Sequence, residues 1–262
     1  DSTAPRGDRL GTLAQVVKRY RLYLLDMDGV LFRGNTAIPG AADAVRRIRQ
    51  AGALVRFLTN NSTKTREHNA RILREFGMEA SPNEIMTTAV AAARFLSGRT
   101  AWALGEPGLH EELLAGNVKL VRDEPAEWVV VGLQRDLSYG QIDEAQWRIR
   151  TGAKFLATNR DATYPVEGRV MPGAGAIVAA VATAAGKEPD LVIGKPEPRM
   201  IQCLLEETGV RPEEALLVGD RLDTDIECAR RAGCDSLLVL TGVTPEPPGD
   251  VPSLPSIADL SV

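Results

Sequence analysis

Cysteine and histidine are scarce in this chain of 262 residues, which contains three cysteines and two histidines. The cysteines, Cys203, Cys228 and Cys234, are odd in number and none forms a C-x-x-C pair, so neither a disulfide framework nor a zinc site is indicated. His68 and His110 lack the spacing of metal ligands and are interpreted as solvated side chains. A reducing compartment, the cytoplasm, fits this composition best.

Long apolar runs and an excess of positive charge are also missing. The richest apolar stretch, Ala174 to Ala185, is shorter than the roughly 18 residues that a membrane-spanning helix needs, so we expect no membrane partner. Lysine and arginine number 31 against 35 acidic residues, and this balance provides no positive field for a polyanion such as nucleic acid. The first eight residues lack the apolar segment of a signal peptide, and because residue 1 is not Met we expect a trimmed chain.

Strand-length apolar runs alternate with helical patterns at both ends of the chain. After a short helix from Leu10 to Arg19, a strand over Tyr20–Asp26, a helix ending before Gly52 and a strand over Leu54–Thr59 are predicted. Three later runs are predicted as further parallel core strands: Leu191–Ile193, Ala215–Val218 and Ser236–Leu240. This order indicates an α/β fold with a doubly wound, three-layer core and a mainly parallel sheet.

Two carboxylates, Asp26 and Asp28, follow the first predicted strand directly and precede Gly29. Ligands of open parallel sheets bind outside the carboxyl ends of the strands, so both acids are placed in the candidate site. There, one carboxylate can attack a substrate while the other handles a proton. On these residues alone, a solvated D-x-D-G turn explains the pattern equally well.

Three other strand ends carry polar residues that the fold would gather at the same edge. They are Thr59-Asn60, Lys195 within Gly194-Lys-Pro-Glu-Pro198, and the pair Asp220 and Asp225 within Gly219-Asp-Arg-Leu-Asp-Thr-Asp-Ile226. A pocket of carboxylates, one ammonium, one hydroxyl and backbone N–H groups suits a phosphate together with an oxygen-ligated cation such as Mg²⁺.

At these four motifs the chain resembles the haloacid dehalogenase-like (HAD-like) phosphohydrolases, and its versions are similar to those of the NagD and p-nitrophenylphosphatase subfamily. The resemblance implies that Asp26 is a nucleophile forming an aspartyl-phosphate and that Asp28 is the general acid and base. It implies phosphate binding by Thr59, Asn60 and Lys195, and it implies that Lys195 also neutralises charge between the nucleophile and the phosphate. The Mg²⁺ ligands that it implies are the following: Asp26, Asp28, Asp220 and Asp225.

The spacing of the motifs indicates where a second unit is inserted. Because 136 positions separate Thr59 from Lys195, about a hundred residues remain beyond one core helix and strand. We predict a discontinuous core of residues 1–87 and 186–262 and an inserted C2-type α/β cap of residues 88–185. Within the cap, Asn159 and Asp161 match a loop that faces the active site in the similar proteins, although an Asx-rich turn explains them equally well.

The predicted function is Mg²⁺-dependent hydrolysis of a phosphoric monoester of a small metabolite, such as a sugar phosphate or glycerol phosphate. A phosphotransferase differs only in the acceptor that is admitted, and it remains an alternative. A non-catalytic metabolite-binding protein has no need for a paired nucleophile and acid, and a protein phosphatase conflicts with a cap of this size. A homodimer is compatible with the resemblance.

Overall fold

Two parallel β-sheets and eight α-helices organise the residues that the computed structural model describes, which are 19–166 and 168–262. The predicted helix from Leu10 to Arg19 lies outside these residues except at its last position. The strands are β1 (Leu22–Asp26), β2 (Phe32–Arg33), β3 (Thr36–Ala37), β4 (Leu54–Thr59), β5 (Ile85–Thr87), β6 (Thr100–Leu104), β7 (Lys119–Leu120), β8 (Trp128–Val131), β9 (Lys154–Ala157), β10 (Thr163–Val166), β11 (Arg169–Pro172), β12 (Leu191–Val192), β13 (Ala215–Gly219), β14 (Asp235–Val239) and β15 (Ser253–Leu254). The helices are α1 (Ala41–Gln50), α2 (Arg66–Glu75), α3 (Thr88–Leu96), α4 (Pro107–Ala115), α5 (Tyr139–Arg150), α6 (Ala174–Ala185), α7 (Arg199–Thr208) and α8 (Glu227–Ala232).

The first sheet has six parallel strands in the order β15-β14-β13-β1-β4-β5. Every residue of β1 is buried, because the strand is central and both faces of the sheet are covered. Leu22 and Leu24 pack on the side of α3, α7 and α8, whereas Tyr23 and Leu25 pack on the side of α1 and α2. The predicted α/β, doubly wound, three-layer core is confirmed.

The second sheet has five parallel strands in the order β12-β9-β8-β6-β7. Helices α5 and α6 cover one face through residues such as Ile149 and Val181. On the other face, Trp128 and Val130 belong to the same apolar cluster as Leu24 of the first sheet, and this cluster runs through α3 and α4. The two sheets are therefore joined by continuous apolar packing. Among the described residues, no helix combines the length and apolarity that a membrane crossing requires.

Strand β12 corrects one sequence-based expectation. Leu191 and Val192 were predicted to pair in the core, but they pair with Leu156 and Ala157 of β9 in the second sheet. The pairing continues beyond the strand, because the N–H groups of Ile193 and Gly194 donate to the carbonyls of Ala157 and Thr158 over 3.1 and 2.8 Å. The division into a core of residues 1–87 and 186–262 and a cap of residues 88–185 remains a prediction.

Candidate active site

The carboxyl ends of three neighbouring strands meet where the four motifs were predicted to converge. Strand β1 lies between β4 and β13, so Asp26 at its end is flanked by Leu58 in β4, while Leu25 pairs with Val218 in β13. The residues that follow, Thr59 and Asp220, therefore reach the same edge of the sheet. Parallel pairing brings these polar side chains together from distant parts of the chain.

Lys195 forms the buried centre of the site. Its Nζ donates hydrogen bonds to Oδ1 of Asp26 and, over 2.7 Å, to Oδ1 of Asp225. Lys195, Asp26 and Asp225 are each at most 6% exposed. Burial alone would lower the pKa of Lys195, but Asp225 and Asp26 outweigh it and the pKa rises. The ammonium is therefore charged and offsets two buried carboxylates.

Three carboxylates form a cluster with the chemistry of a divalent metal site. Asp26, Asp220 and Asp225 each offer an oxygen within 4.8 Å of the others. Backbone N–H groups orient two of them, because Asp225 Oδ2 accepts from Asp220 and Arg221 over 3.2 and 3.1 Å, and Asp220 Oδ2 accepts from Val243 over 2.6 Å. Burial followed by repulsion from Asp225 raises the pKa of Asp220 to about 6. Oxygen donors that repel one another fit a hard cation.

The pKa of Asp26 is raised well above its ordinary value. Burial is the largest cause, Lys195 opposes it, and the charges of Asp225 and Asp220 add to it. Additional positive charge at the cluster would therefore favour the ionised form of Asp26, which is the form that acts as a nucleophile.

Two glycines allow the motif loops to approach each other. Gly29 has a φ of 80°, and a Cβ there would collide with the carboxylate of Asp220. A Cβ at Gly219 would collide with the side chain of Asp225. Glycine is needed at both positions because backbone and carboxylate come into direct contact.

Asp28 is not among the three members of the carboxylate cluster. Its side chain keeps contact with solvent, although the surrounding protein displaces enough water to raise its pKa; Lys195 opposes this shift. A raised pKa favours the protonated form that a general acid needs. Its roles as acid, base and metal ligand remain predictions.

The predicted phosphate ligands have different surroundings. Thr59 is buried, and its Oγ1 accepts the N–H of Asn61 over 3.1 Å. The side chain of Asn60 is occupied by protein groups, since Oδ1 accepts the N–H of Lys195 over 2.9 Å and Nδ2 donates to the carbonyl of Lys195 over 3.0 Å. Phosphate contacts by Thr59 and Asn60 remain predictions.

The loop after β9 reaches the site from the second sheet. Asn159 Nδ2 donates to the carbonyl of Asn60 over 2.7 Å, and Asp161 Oδ2 accepts from Asn60 Nδ2 over 3.0 Å. Asn159 Oδ1 also accepts the N–H of Asp161 over 3.1 Å, as an Asx turn does. The two sequence-based interpretations of this loop are therefore compatible: it is a local turn, and it contacts the motif residue Asn60.

One buried ion pair that the sequence does not indicate joins helix α2, which follows the Thr59-Asn60 motif, to helix α4. Glu112 of α4 is 2% exposed, and it accepts the backbone N–H of Arg66 over 2.6 Å and the Nη2 of Arg66 over 2.8 Å. A Cβ at Gly108, also in α4, would collide with the backbone of Thr63 and Lys64. No local pattern marks Glu112, because its partner lies 46 positions earlier in the chain.

Comparisons with known proteins agree with this geometry. Residues 23–119 match the haloacid dehalogenase-like hydrolase family, and residues 192–256 match a second family of HAD-hydrolase-like proteins. An acid sugar phosphatase of Staphylococcus saprophyticus is 38% identical over 232 residues, which cover 87% of this chain and 89% of the relative.

Solved structures extend the similarity to the fold. The p-nitrophenyl phosphatase from Archaeoglobus fulgidus is 31% identical with a TM-score of 0.88, and the alignment covers 92% of this chain and 98% of that one. A glycerol phosphate phosphatase from Mycobacterium tuberculosis, in complex with magnesium, is 36% identical with a TM-score of 0.80, covering 87% and 70%. The motifs, their convergence at one sheet edge and these similarities show that the chain belongs to the haloacid dehalogenase-like hydrolases, in their NagD and p-nitrophenylphosphatase-like branch.

Proposed function

We propose that this phosphoric monoester hydrolase acts on small phosphorylated metabolites with Mg²⁺, through an aspartyl-phosphate formed on Asp26. The observation that carries the proposal is the hydrogen bond from Lys195 to Asp26 inside a cluster of three buried carboxylates. A nucleophilic carboxylate, a charge-neutralising ammonium and oxygen ligands for a divalent cation are thereby brought to one place.

The reaction requires two displacements at phosphorus. In the first, an Asp26 oxygen forms a bond to phosphorus while the ester P–O bond breaks, and Asp28 gives its proton to the departing alkoxide oxygen. In the second, Asp28 removes a proton from water, the water oxygen bonds to phosphorus, and the bond to Asp26 breaks to release phosphate. Lys195 reduces the repulsion between Asp26 and the phosphate dianion throughout.

The carboxylates of Asp26, Asp220 and Asp225 would hold the cation, with Asp28 as a further predicted ligand. When bound, Mg²⁺ supplies positive charge that offsets the negative charge of phosphate and carboxylates. The two aspartates in the loop after β13 are already oriented by backbone N–H groups, so cation binding needs little reorganisation of that loop.

The names of similar proteins and the contacts of the predicted cap support a proposal for the substrate class. Similar proteins are named acid sugar phosphatase and glycerol phosphate phosphatase, and we propose a sugar phosphate or glycerol phosphate for this chain. Asn159 and Asp161 of the predicted cap form hydrogen bonds with Asn60, and these contacts support the proposal that the cap covers the site. A covered site favours small esters over phosphoproteins.

The proposal is tested by phosphate release from a panel of sugar phosphates, glycerol phosphate and p-nitrophenyl phosphate. Activity that requires Mg²⁺ and is lost with EDTA supports it, whereas equal release with and without EDTA contradicts the metal requirement. Adding alcohols as acceptors separates hydrolysis from phosphotransfer, because a phosphotransferase forms new esters at the expense of free phosphate. Binding of the same esters without release would indicate the non-catalytic alternative.

Asp220→Asn is expected to lower kcat/KM by about 100-fold or more, because a metal ion contributes several kcal/mol to such reactions and the amide is a weaker ligand. Asp223→Asn is the matched control, since this residue lies in the same loop but its carboxylate pairs with Arg221 and its side chain is 70% exposed. The kcat/KM of Asp223→Asn should stay within about 2-fold of the parent value. Equal losses in both variants would contradict the assignment of Asp220.

Stabilisation by Mg²⁺ is expected to increase with pH. The pKa of Asp220 is raised to about 6 in the folded protein, so the stability contributed by its neutral form is present at low pH and is lost as the pH rises through about 6. A cation and this proton compete for the carboxylate of Asp220. The increase in Tm caused by Mg²⁺ over EDTA should be small near about pH 5 and larger near about pH 7.5. An equal increase at both pH values would contradict proton competition.

A further inference from the structure

We propose that Asn60 is a positioning residue that aligns Lys195 with Asp26 and links this alignment to the loop carrying Asp161. The inference rests on the proposed role of Lys195 in phosphoryl transfer. It assigns to the Asn60 side chain a function other than the phosphate binding expected from the motif.

The first support is the paired contact between the Asn60 amide and the Lys195 backbone. Oδ1 accepts the N–H of Lys195 over 2.9 Å, and Nδ2 donates to its carbonyl over 3.0 Å. The next residue, Pro196, has no N–H with which to anchor the segment. Asn60 therefore holds both backbone polar groups of the residue whose Nζ reaches Asp26.

The second support is a close approach that a side chain would prevent. A Cβ at Gly194 would lie 2.7 Å from Asn60 Oδ1 and 2.8 Å from the Cβ of Asn159. Glycine before Lys195 thus allows the asparagine amide to pair with the backbone. The same glycine donates its N–H to the carbonyl of Thr158 over 2.8 Å, so the Lys195 segment leaves directly from the end of the second sheet.

The third support is the convergence of the inserted unit on the same residue. Asp161 accepts a hydrogen bond from Asn60 Nδ2 over 3.0 Å. The Asn60 carbonyl accepts from Asn159 Nδ2 over 2.7 Å and from Thr88 Oγ1 over 2.9 Å. Asn60 is thus the meeting point of the β4 loop, the start of α3, the loop after β9 and the Lys195 segment.

This arrangement makes the placement of Lys195 depend on the closed position of the Asp161 loop. With the loop in place, Asp161 and the Lys195 carbonyl together orient the amide of Asn60. If the loop withdraws, the amide loses one of the acceptors that fix its orientation. Contacts of this kind should act on kcat more than on KM, because the charge that Lys195 offsets at the nucleophile matters most in the transition state.

The first test exchanges the hydrogen-bond donor at Asn60 and the acceptor at Asp161 and measures phosphate release. In Asn60→Asp, a carboxylate faces Asp161 and cannot donate to the Lys195 carbonyl, so kcat should fall about 10- to 100-fold with KM within about 3-fold. Asp161→Asn keeps an acceptor oxygen and should lower kcat by less than about 3-fold. The double variant N60D/D161N regains a donor–acceptor pair and should recover at least about 5-fold over Asn60→Asp. A double variant no better than Asn60→Asp would overturn the link to the loop.

A second readout does not depend on activity. In Asn60→Ala, the backbone N–H of Lys195 loses its acceptor, and its hydrogen exchange should accelerate about 10-fold or more while that of Leu24 in β1 stays unchanged. In Asn60→Asp the acceptor is retained, so exchange at Lys195 should stay near the parent value. Unchanged exchange at Lys195 in Asn60→Ala would overturn the positioning role. If the parent protein releases no phosphate, the proposed function fails, while the exchange result still decides the role of Asn60.

Discussion

Asp26→Asn is expected to abolish turnover, with kcat reduced on the order of 10⁴-fold, the scale seen when a catalytic carboxylate is removed from a reaction centre. The amide that replaces the carboxylate keeps its size but is a poor nucleophile, so the first displacement at phosphorus cannot proceed. The fold should survive, because Lys195 retains Asp225 as a partner and an oxygen acceptor remains at position 26. The measurement is phosphate release from the ester of the panel that the parent protein hydrolyses.

Trapping the intermediate gives a second test of the same assignment. The parent protein, quenched in acid during turnover, should carry one phosphoryl group on the peptide that contains Asp26, and Asp26→Asn should carry none. Asp223→Asn serves again as the control, since its carboxylate lies outside the cluster. Phosphate release by Asp26→Asn at the parent rate would rule out Asp26 as the nucleophile.

Lys195→Met is expected to damage both stability and activity. Lys195 bonds two buried carboxylates, and removing the ammonium leaves them uncompensated. Breaking a buried ion pair in this way lowers the free energy of unfolding by about 3–5 kcal/mol near neutral pH. Activity should fall by about 10³-fold, because the charge that offsets the phosphate at Asp26 is lost. Chemical denaturation in EDTA and phosphate release with Mg²⁺ measure the two effects.

The pH dependence of this loss identifies its cause. Without the ammonium, the pKa of Asp26 should rise further, and a neutral Asp26 costs less to bury. The loss of stability should therefore be larger near about pH 7.5 than near about pH 5. Lys119→Met, at an exposed position, is the control and should change stability by less than about 0.5 kcal/mol. A loss that does not depend on pH would indicate a packing defect instead of unpaired charge.

The four motifs were predictable because each is local and lies at the end of a strand. Strands β1 and β13 are short apolar runs followed at once by acids and glycine, and the carboxyl ends of parallel strands lie at one edge. The convergence of Asp26, Asp220 and Asp225 follows from these two facts and is what the structure contains. The α/β class was predictable for the same reason, since alternating strands and helices restrict the topology.

Strand partners and contacts between units were not predictable. The run Leu191–Val192 has the composition of a core strand, and only its observed pairing with Leu156 and Ala157 of β9 assigns it to the second sheet. The buried acid Glu112 and its partner Arg66 lie on different helices. The occupation of the Asn60 amide by Lys195 depends on a backbone approach at Gly194 that no periodicity encodes.

The amino-acid sequence by itself determined which reactive residues the candidate site contains. They are a pair of acids after the first strand, a lysine between glycine and proline, and two further acids after β13. It also determined the family, because those residues occur in an order and spacing that the family shares. The tertiary structure alone decided that Lys195 leaves from the second sheet, that its ammonium lies between Asp26 and Asp225, and that Asn60 joins its backbone to Asp161. The physical reason is that hydrogen bonds and ion pairs between residues on different strands and loops depend on sheet order and close packing, which local sequence patterns do not specify.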